Sequence, residues 1–406
     1  MSELQRIVDS LARTTRRAVS VHDRSRSLLA FSSHEGVVDD VRKESILTRK
    51  GPARGFEWAK TFGIETADGP VRIPANAEIE MEARVCAPVR FGGRLLGFLW
   101  LVDPDESLEP ELFEMVKHAA DSAALAINHQ ELADEVDRGR ERELLRDLLS
   151  DEPDVRDHAS ADLIESGALA PAAFSAVLVV RPLRDRKPML ASDTVVRSHL
   201  EDALTRTRRG IAPKRSLQLV RPDHGVLLVS CESHELDDLD ALGKTLQANA
   251  VDALADDGEW EAVVGIGDAM ASLADCHRSY DEARKTSEVC TVLSPAGPVA
   301  RWSDLGVYQI LLQLPLSDVN VGSLHPGLSR LLASRDANVW LKTLDTYLDL
   351  GCDARGAARA LHINRSSLYH RIHRIEEIAG VDLNTGDDRL VLHLGLKLAR
   401  LNGLLD

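Results

Sequence analysis

Apolar positions change their spacing along this chain, and each spacing predicts a different kind of element. Up to about residue 128 they fall in short runs, at residues 18–21, 27–31, 85–89 and 95–102. Asp23-Arg24 and Gly92-Gly93 sit between such runs as turn signals, so the pattern predicts strands joined in hairpins. Ahead of them Leu4, Ile7, Val8 and Leu11 share one face of an amphipathic helix. A further helix is predicted over residues 110–127, with Ser107 as its cap. Residues 128–151 read as one charged helix whose stripe, Leu132, Val136, Leu144, Leu145, Leu148 and Leu149, is interrupted by Gly139. That stripe fits a helix pairing with its twin in a dimer, or an amphipathic linker. Pro153 and Pro171 mark residues 152–173 as a separating segment.

From about residue 172 to 305 the pattern mixes both periods. Strands are predicted at residues 175–180, 216–220, 226–230 and 261–266, and helices at 194–206, 236–255 and 273–290. The order β-α-ββ-α-β-α predicts an α+β sheet with helices on one face. Gly265 and Gly267, in a strand followed by a helix, offer only a weak nucleotide-loop signal, because a third glycine and the phosphate-binding setting are missing. Residues 305–334 read as a helical connector broken by Pro315, Pro326 and Gly327.

The most informative pattern lies at residues 353–380. One helix is predicted over residues 354–361, a break at His362, Ile363 and Asn364, and a second helix from Arg365 to Ala379. In the second, Leu368, Ile372 and Ile375 form one apolar stripe at i, i+4, i+7. Ser366, His370 and Arg374 occupy the opposite face, flanked by Ser367, Tyr369, Arg371 and His373. Ala357 and Ala358 are small, as two closely crossing helices require, and Asn364 is positioned as an N-cap. The pattern is a helix-turn-helix, to be weighed against an ordinary helical hairpin with a solvated arginine face.

Charge sharpens that choice. This stretch holds five arginines against three acids, a net +2, in a chain whose net charge is -16, so the remainder carries -18. A basic island in an acidic protein predicts a surface facing phosphate. At 406 residues the chain is too long for one core. Its 44% hydrophobic and 28% charged content are those of an ordinary globular protein. No apolar run reaches the roughly 20 residues of a membrane span, and the N-terminus lacks the apolar core of a signal peptide. Together these predict a cytoplasmic protein with no membrane partner. The five cysteines (86, 231, 276, 290, 352) include no C-x-x-C pair, and the 14 histidines form no ligand cluster, so no metal and no cofactor is expected. No catalytic constellation can be defended from spacing. Trp58, Phe62, Phe98 and Trp100 are candidates for lining a pocket, with core packing as the alternative role for each.

Three stretches carry a family resemblance: TLDTYLDLG from Thr343, ARALHINRSSLYHRIHRIEEIAGVDL from Ala358, and DDRLVLHLGLKLARL from Asp387. They resemble the helix-turn-helix domain of the PucR family of bacterial transcriptional regulators. INRSSL is also similar to the start of the recognition helix in Fis-type domains. The family more often has His-Arg-Asn-Thr where this chain has Asn364, Arg365, Ser366 and Ser367, and His362 stands where many such turns hold glycine. Residues 85–127 resemble the last hairpin and helix of a GAF domain, a small antiparallel-sheet module with helices on one face. Residues 263–290 resemble the end of the degenerate GGDEF-like domain of the PucR and CdaR group. In active diguanylate cyclases the central hairpin carries paired acids. Here the matching turn is Arg221-Pro222-Asp223-His224-Gly225, so cyclase activity is not expected.

The resemblance implies an α+β multidomain protein with five parts. These are a GAF-like α/β sensor (1–128), a signalling helix and linker (129–171), a degenerate α+β GGDEF-like domain (172–305), a helical connector (306–342) and an all-α helix-turn-helix domain (343–406). It implies a non-enzymatic regulator of PucR type, as known in actinobacteria among others, that binds a double-stranded DNA operator as a homodimer or higher homo-oligomer. A small molecule or a protein signal sensed in the N-terminal part would control it. Arg365, Ser366, Ser367, Tyr369 and His370, with Asn364 at the cap, are expected to reach base edges, and Arg371 and Arg374 to touch phosphates. The alternatives are a signalling enzyme or nucleotide-binding protein using the middle domain, and a scaffold whose helix-turn-helix no longer binds DNA.

Overall fold

The computed structural model describes residues 2–33, 39–184, 187–189, 194–254, 260–292, 297–313 and 325–402. The chain divides into two compact units, residues 1–139 and 140–406.

The first unit begins with α1 (Glu3–Thr15), whose Ser2 hydroxyl accepts from the Gln5 amide at the N-cap. β1 (Val19–Asp23), β2 (Leu28–Phe31), α2 (Asp40–Thr48), α3 (Ala53–Lys60), β3 (Val71–Ile73), β4 (Arg84–Phe91), β5 (Arg94–Val102) and α4 (Pro110–Leu148) follow. The strands form an antiparallel sheet in the order β2-β1-β5-β4-β3. Gly92 and Gly93, both at positive φ, make the two-residue turn between β4 and β5, the geometry that matches strand twist in a tight hairpin. Alternation along β4 builds two cores. Val85, Ala87 and Val89 join Val8 and Leu11 of α1 and Val116 to Ile127 of α4, while Cys86 joins Val41 of α2 and Phe56 and Ala59 of α3. Helices therefore cover both faces of this sheet, where the resemblance implied one.

Two expectations about α4 are corrected. Ser107 does not cap it; its hydroxyl donates to Asp105 and accepts from Arg17. The helix also does not stop near residue 127 but runs unbroken for 39 residues. Gly139 does not break it, and nothing approaches the place a Cβ would occupy there, so packing does not require the glycine. Residues 152–173 are not a bare separating segment either. They carry α5 (Pro153–Glu165), whose proline sits at the first turn, where its missing N–H is no loss. Ala159, Leu163 and Leu169 of this segment, with Leu145 and Leu148 of α4, are buried in the core of the second unit.

That core surrounds β6 (Phe174–Arg184), β7 (Lys187–Pro188), β8 (Ser216–Val220), β9 (Gly225–Cys231), β10 (Glu261–Ile266) and β11 (Val299–Arg301). The sheet order is β11-β10-β6-β9-β8, with β7 pairing β6, and only the β10–β11 pair is parallel. Helices α6 (Thr194–Arg208), α7 (Leu239–Leu254) and α8 (Cys276–Val292) pack on it. Ala176, Leu178 and Val180 of β6 face α6 and α7, whereas Val177 and Val179 face α5 and α8. Here too both faces are covered, not one, which is why β6 is buried almost throughout and shows no polar alternation.

The remaining elements are α9 (Val307–Leu311), α10 (Pro326–Leu332), α11 (Ala337–Asp349), α12 (Ala354–Ala360), α13 (Arg365–Ala379) and α14 (Gly386–Leu401). Pro326 starts α10 instead of breaking a helix, and Pro315 lies outside the described residues. Leu328 and Leu331 of α10 share a core with Leu341, Leu344, Leu368, Ile372, Ile375, Leu392 and Leu396. All five cysteines are free, and only Cys352 is not buried.

Gly265 and Gly267 are explained by packing rather than by a nucleotide loop. A Cβ at Gly265 would fall on the Ala283 carbonyl, and one at Gly267 on the Ser279 carbonyl, both in the backbone of α8. The Ser279 hydroxyl in turn accepts from the Val177 amide at 2.9 Å. A backbone neighbour cannot rotate away, so Gly267→Ala is expected to destabilise the second unit by roughly 1–3 kcal/mol, as overpacking does. Thermal unfolding followed by circular dichroism checks this, and an unchanged melting temperature would refute the packing role.

Candidate nucleic-acid interface

Asp353 caps α12, its carboxylate accepting from the Arg355 amide at 2.9 Å. Ala357 and Ala358 are buried where α12 meets the C-terminal core, while Arg355 and Arg359 are exposed. The chain then turns through His362 at φ 54. This is the left-handed conformation glycine supplies in many such turns, and here a histidine adopts it, at a cost on the order of 1 kcal/mol. The amides of His362 and Ile363 donate to the carbonyls of Arg359 and Ala358, closing the end of α12.

Asn364 then caps α13. Its side-chain oxygen accepts from the Ser367 amide at 2.7 Å and from the Ser366 hydroxyl at 2.9 Å. Asn364 is thus occupied in holding the first turn together. Leu368, Ile372, Ile375 and Ala379 point into the core. That orientation leaves Arg365, Ser366, Tyr369, His370, His373 and Arg374 exposed, with Ser367 and Arg371 half-buried.

The two expected phosphate contacts differ in what they have to offer. Arg371 donates to the Thr343 hydroxyl of α11 at 3.2 Å, so part of its guanidinium is turned inward. Arg374 pairs with Glu377 one turn on at 2.7 Å, but both are exposed and such a pair is weak and screened. The structure also adds two residues that the sequence reading counted as charge without assigning to the surface, Arg355 and Arg359 on α12. The first helix of a helix-turn-helix crosses the DNA backbone, and their exposure on that helix was the available signal.

The far end of α13 is fixed by α10. Arg330 donates through Nε to the Ile378 carbonyl at 2.8 Å and through Nη2 to the Ala379 carbonyl. A cation at these carbonyls also meets the negative end of the helix dipole. Gly327 lets α10 approach, since a Cβ there would strike the Ala379 carbonyl. Gly380 ends α13 in the left-handed conformation. On the other side of the domain Asp349 of α11 pairs with His393 at 2.7 Å and Lys397 at 2.6 Å, and Asp345 pairs with Arg400, tying α14 to α11.

The middle domain's Arg221–Gly225 turn joins β8 to β9, where the cyclase hairpin was expected to correspond. Its one acid, Asp223, pairs with Arg181 at 2.7 Å and with His224 Nδ1 at 2.8 Å. His224 Nε2 lies 2.9 Å from the Tyr280 hydroxyl. Burial pulls the His224 imidazole down to about 4 against the pull of Asp223, so it is neutral at pH 7. Among the described residues no group of three or more His, Cys, Asp or Glu side chains could hold a metal. No helix among them is long and apolar enough to cross a membrane. Of the four aromatics expected near a pocket, Phe98 and Trp100 are core residues and Trp58 and Phe62 pack on that core. Trp100 also lines a small cavity between the sheet and α2 and α3, and Phe98 an open cleft beside Arg94 and Glu131.

Comparison with known proteins agrees with this geometry. Residues 340–398 match the PucR C-terminal helix-turn-helix domain, and residues 168–289 match a GGDEF-like domain. The chain is 22% identical to the DNA-binding transcriptional activator AdeR of Bacillus subtilis over 98% of its own length and 93% of the relative's. It is 20% identical to the proline-responsive transcriptional activator PutR of the same organism, over 98% and 97%. To the carbohydrate diacid regulator of Escherichia coli it is 28% identical over 35% and 36%. The crystal structure of a regulator of polyketide synthase expression from Bifidobacterium adolescentis covers 65% of this chain and 98% of its own at 15% identity. Its TM-score is 0.31, too low for a shared arrangement to follow. With a GGDEF-like domain ahead of a PucR helix-turn-helix, in a chain that aligns end to end with two transcriptional activators, the protein belongs to the PucR/CdaR-type transcriptional regulators.

Proposed function

We propose that this regulator reads operator DNA with the N-terminal end of α13. The observation that carries the reading is the first turn of that helix: Asn364 spends its side chain on the cap, and Arg365, Ser366, Tyr369 and His370 are left exposed around it. Arg365, Ser366, Ser367, Tyr369 and His370 approach base edges, the position from which recognition helices read the major groove. Arg374, Arg355 and Arg359 contact phosphates, and Arg371 adds a contact once released from Thr343. Replacing Arg365 by Ala is expected to cost about 1–3 kcal/mol of operator affinity if it makes a bidentate base contact. A gel-shift titration measures this, and unchanged affinity would sink the assignment.

The N-terminal unit is proposed as a GAF-like sensor, supported by its antiparallel sheet flanked by helices. The protein is proposed to act in the cytoplasm as a homodimer, because one helix-turn-helix reads only a few base pairs. Leu125, Leu132 and Val136 support a helix-mediated dimer. They lie seven and four residues apart on α4, and all three are exposed. Size exclusion with light scattering is expected to give a dimer at micromolar concentration, and Leu132→Lys to shift it toward monomer. A monomeric wild type, with or without operator, would overturn this arrangement.

The protein is also proposed to have no nucleotide cyclase activity. The only acid of the Arg221–Gly225 turn is already paired with Arg181 and His224. Incubation with GTP and magnesium or manganese is expected to yield no cyclic dinucleotide. Product accumulation would favour the signalling-enzyme alternative.

A further inference from the structure

The middle of α4 is the part of that helix its own chain leaves uncovered. Ala120, Ala123, Ala124 and Ile127 bury the first half against the sheet of the first unit, and Leu145 and Leu148 bury the last turns in the core of the second. Between them residues 132–137 are exposed on every side. Helices in water draw most of their stability from packing of one face, so a bare stretch in an unbroken helix calls for a partner. The stretch and its approach are not polar all round. Leu125, Leu132 and Val136 are 49%, 52% and 70% exposed.

The spacing says what kind of partner. Leu125, His129, Leu132, Val136, Gly139 and Glu143 follow one another in alternating steps of four and three. That alternation is a heptad seam, with Leu125, Leu132 and Gly139 at d and His129, Val136 and Glu143 at a, and it fits a second helix lying alongside.

Two features make that second helix another copy of this one. A seam on a twofold axis must be complementary to itself, and here apolar layers meet apolar layers at Leu125, Leu132 and Val136. The flanking charges are complementary as well. In a parallel pair the residue at g faces the residue at e five places on in the partner. Glu135 stands at g and Arg140 at e, both exposed, so pairing brings opposite charges together on each side of the seam. His129, the polar residue among these layers, weakens the pair and fixes its register, as a polar residue at one a position does.

At Gly139 the seam gives out. The glycine leaves a layer without side chains, and the next layer sets Glu143 against its own copy, where two carboxylates repel. The d position after that is Arg146, which is exposed. The apolar stripe has meanwhile changed face. Leu145 lies nine residues beyond Val136, and at about 100° per residue that puts the two on opposite sides of the helix.

We propose that α4 pairs with α4 of a second copy, parallel and in register, from Leu125 to Val136, and that the two helices part at Gly139, beyond which each turns its apolar face to its own second unit. This rests on the homodimer proposed above and adds its orientation, its register and its end. The empty layer at Gly139 limits how tightly the copies hold each other.

The test uses the full-length protein with single cysteines placed on exposed positions of α4, oxidised with diamide and read on a non-reducing gel. The unaltered protein, whose five cysteines are free, sets the background. Val136→Cys is expected to cross-link to its own copy. Asp134→Cys, on the outer face, and Arg146→Cys, past the fork, are expected to stay at background. Light scattering run alongside separates the two readings. A dimer in which Val136→Cys stays at background overturns the parallel seam and leaves the homodimer standing, whereas a monomer overturns both. Cross-linking at residue 134 as strong as at 136 marks random collision and overturns the seam too, and cross-linking at 146 overturns the fork. Filling the empty layer is the second measurement. Gly139→Leu is expected to lower the dimer's dissociation constant roughly tenfold or more, as burial of one leucine side chain does. Gly139→Ala gains at least as much helix propensity without filling the layer, and is expected to tighten the dimer much less. Equal effects of the two substitutions overturn the role of Gly139.

Discussion

Burial of Leu368, Ile372, Ile375 and Ala379 in the C-terminal core governs what α13 offers to a partner. A helix has a fixed angular relation between residues, so seating these four decides that Arg365, Ser366, Tyr369 and His370 face outward. The rest of the domain defends that seating. Asn364 fixes the first turn, His362 sets the angle at which the chain enters, and the ion pairs from α14 to Asp349 and Asp345 hold α11 against the bundle. The exposed side chains of α13 are thus positioned from its buried side.

The electrostatic design is leaner than a count of arginines conveys. Of the five in this stretch, Arg371 is partly spent on Thr343 and Arg374 has Glu377 beside it. Arg365, Arg355 and Arg359 carry the more available charge. The rest of the molecule is strongly acidic. Such a distribution favours contact through one small face and repels DNA from the others.

The sequence was most readable where buried residues are apolar and periodic. β8, β10 and α13 have the bounds their patterns predict. It was least readable between residues 32 and 84, where α2, α3 and β3 were not anticipated. The reason lies in α2, whose buried positions are Val41, Arg42 and Ser45. Arg42 hydrogen-bonds to backbone oxygens and Ser45 to His22, polar contacts that leave no apolar stripe in the sequence. The same residues surround the cavity, and for that reason the cavity was not legible either. Prolines misled twice, at Pro153 and Pro326, because a proline that starts a helix and one that ends it look alike without the neighbours. Gly265 and Gly267, only a weak nucleotide-loop signal in the sequence, serve helix packing. The recognition helix and its exposed residues were legible, but the inward turn of Arg371 was not, since Thr343 lies 28 residues away in sequence.

The grip of α10 on the end of α13 has a consequence for genetics. Gly327 and Arg330 lie upstream of residue 340, where the recognisable helix-turn-helix begins, yet they set the carbonyl end of the reading helix. Lesions at these two positions would disturb the seating of α13 although both lie outside the recognisable domain. Suppressors of such lesions would then arise inside the bundle rather than in the operator. The packing unit that holds this helix therefore begins at Pro326, ahead of the stretch recognisable by sequence similarity.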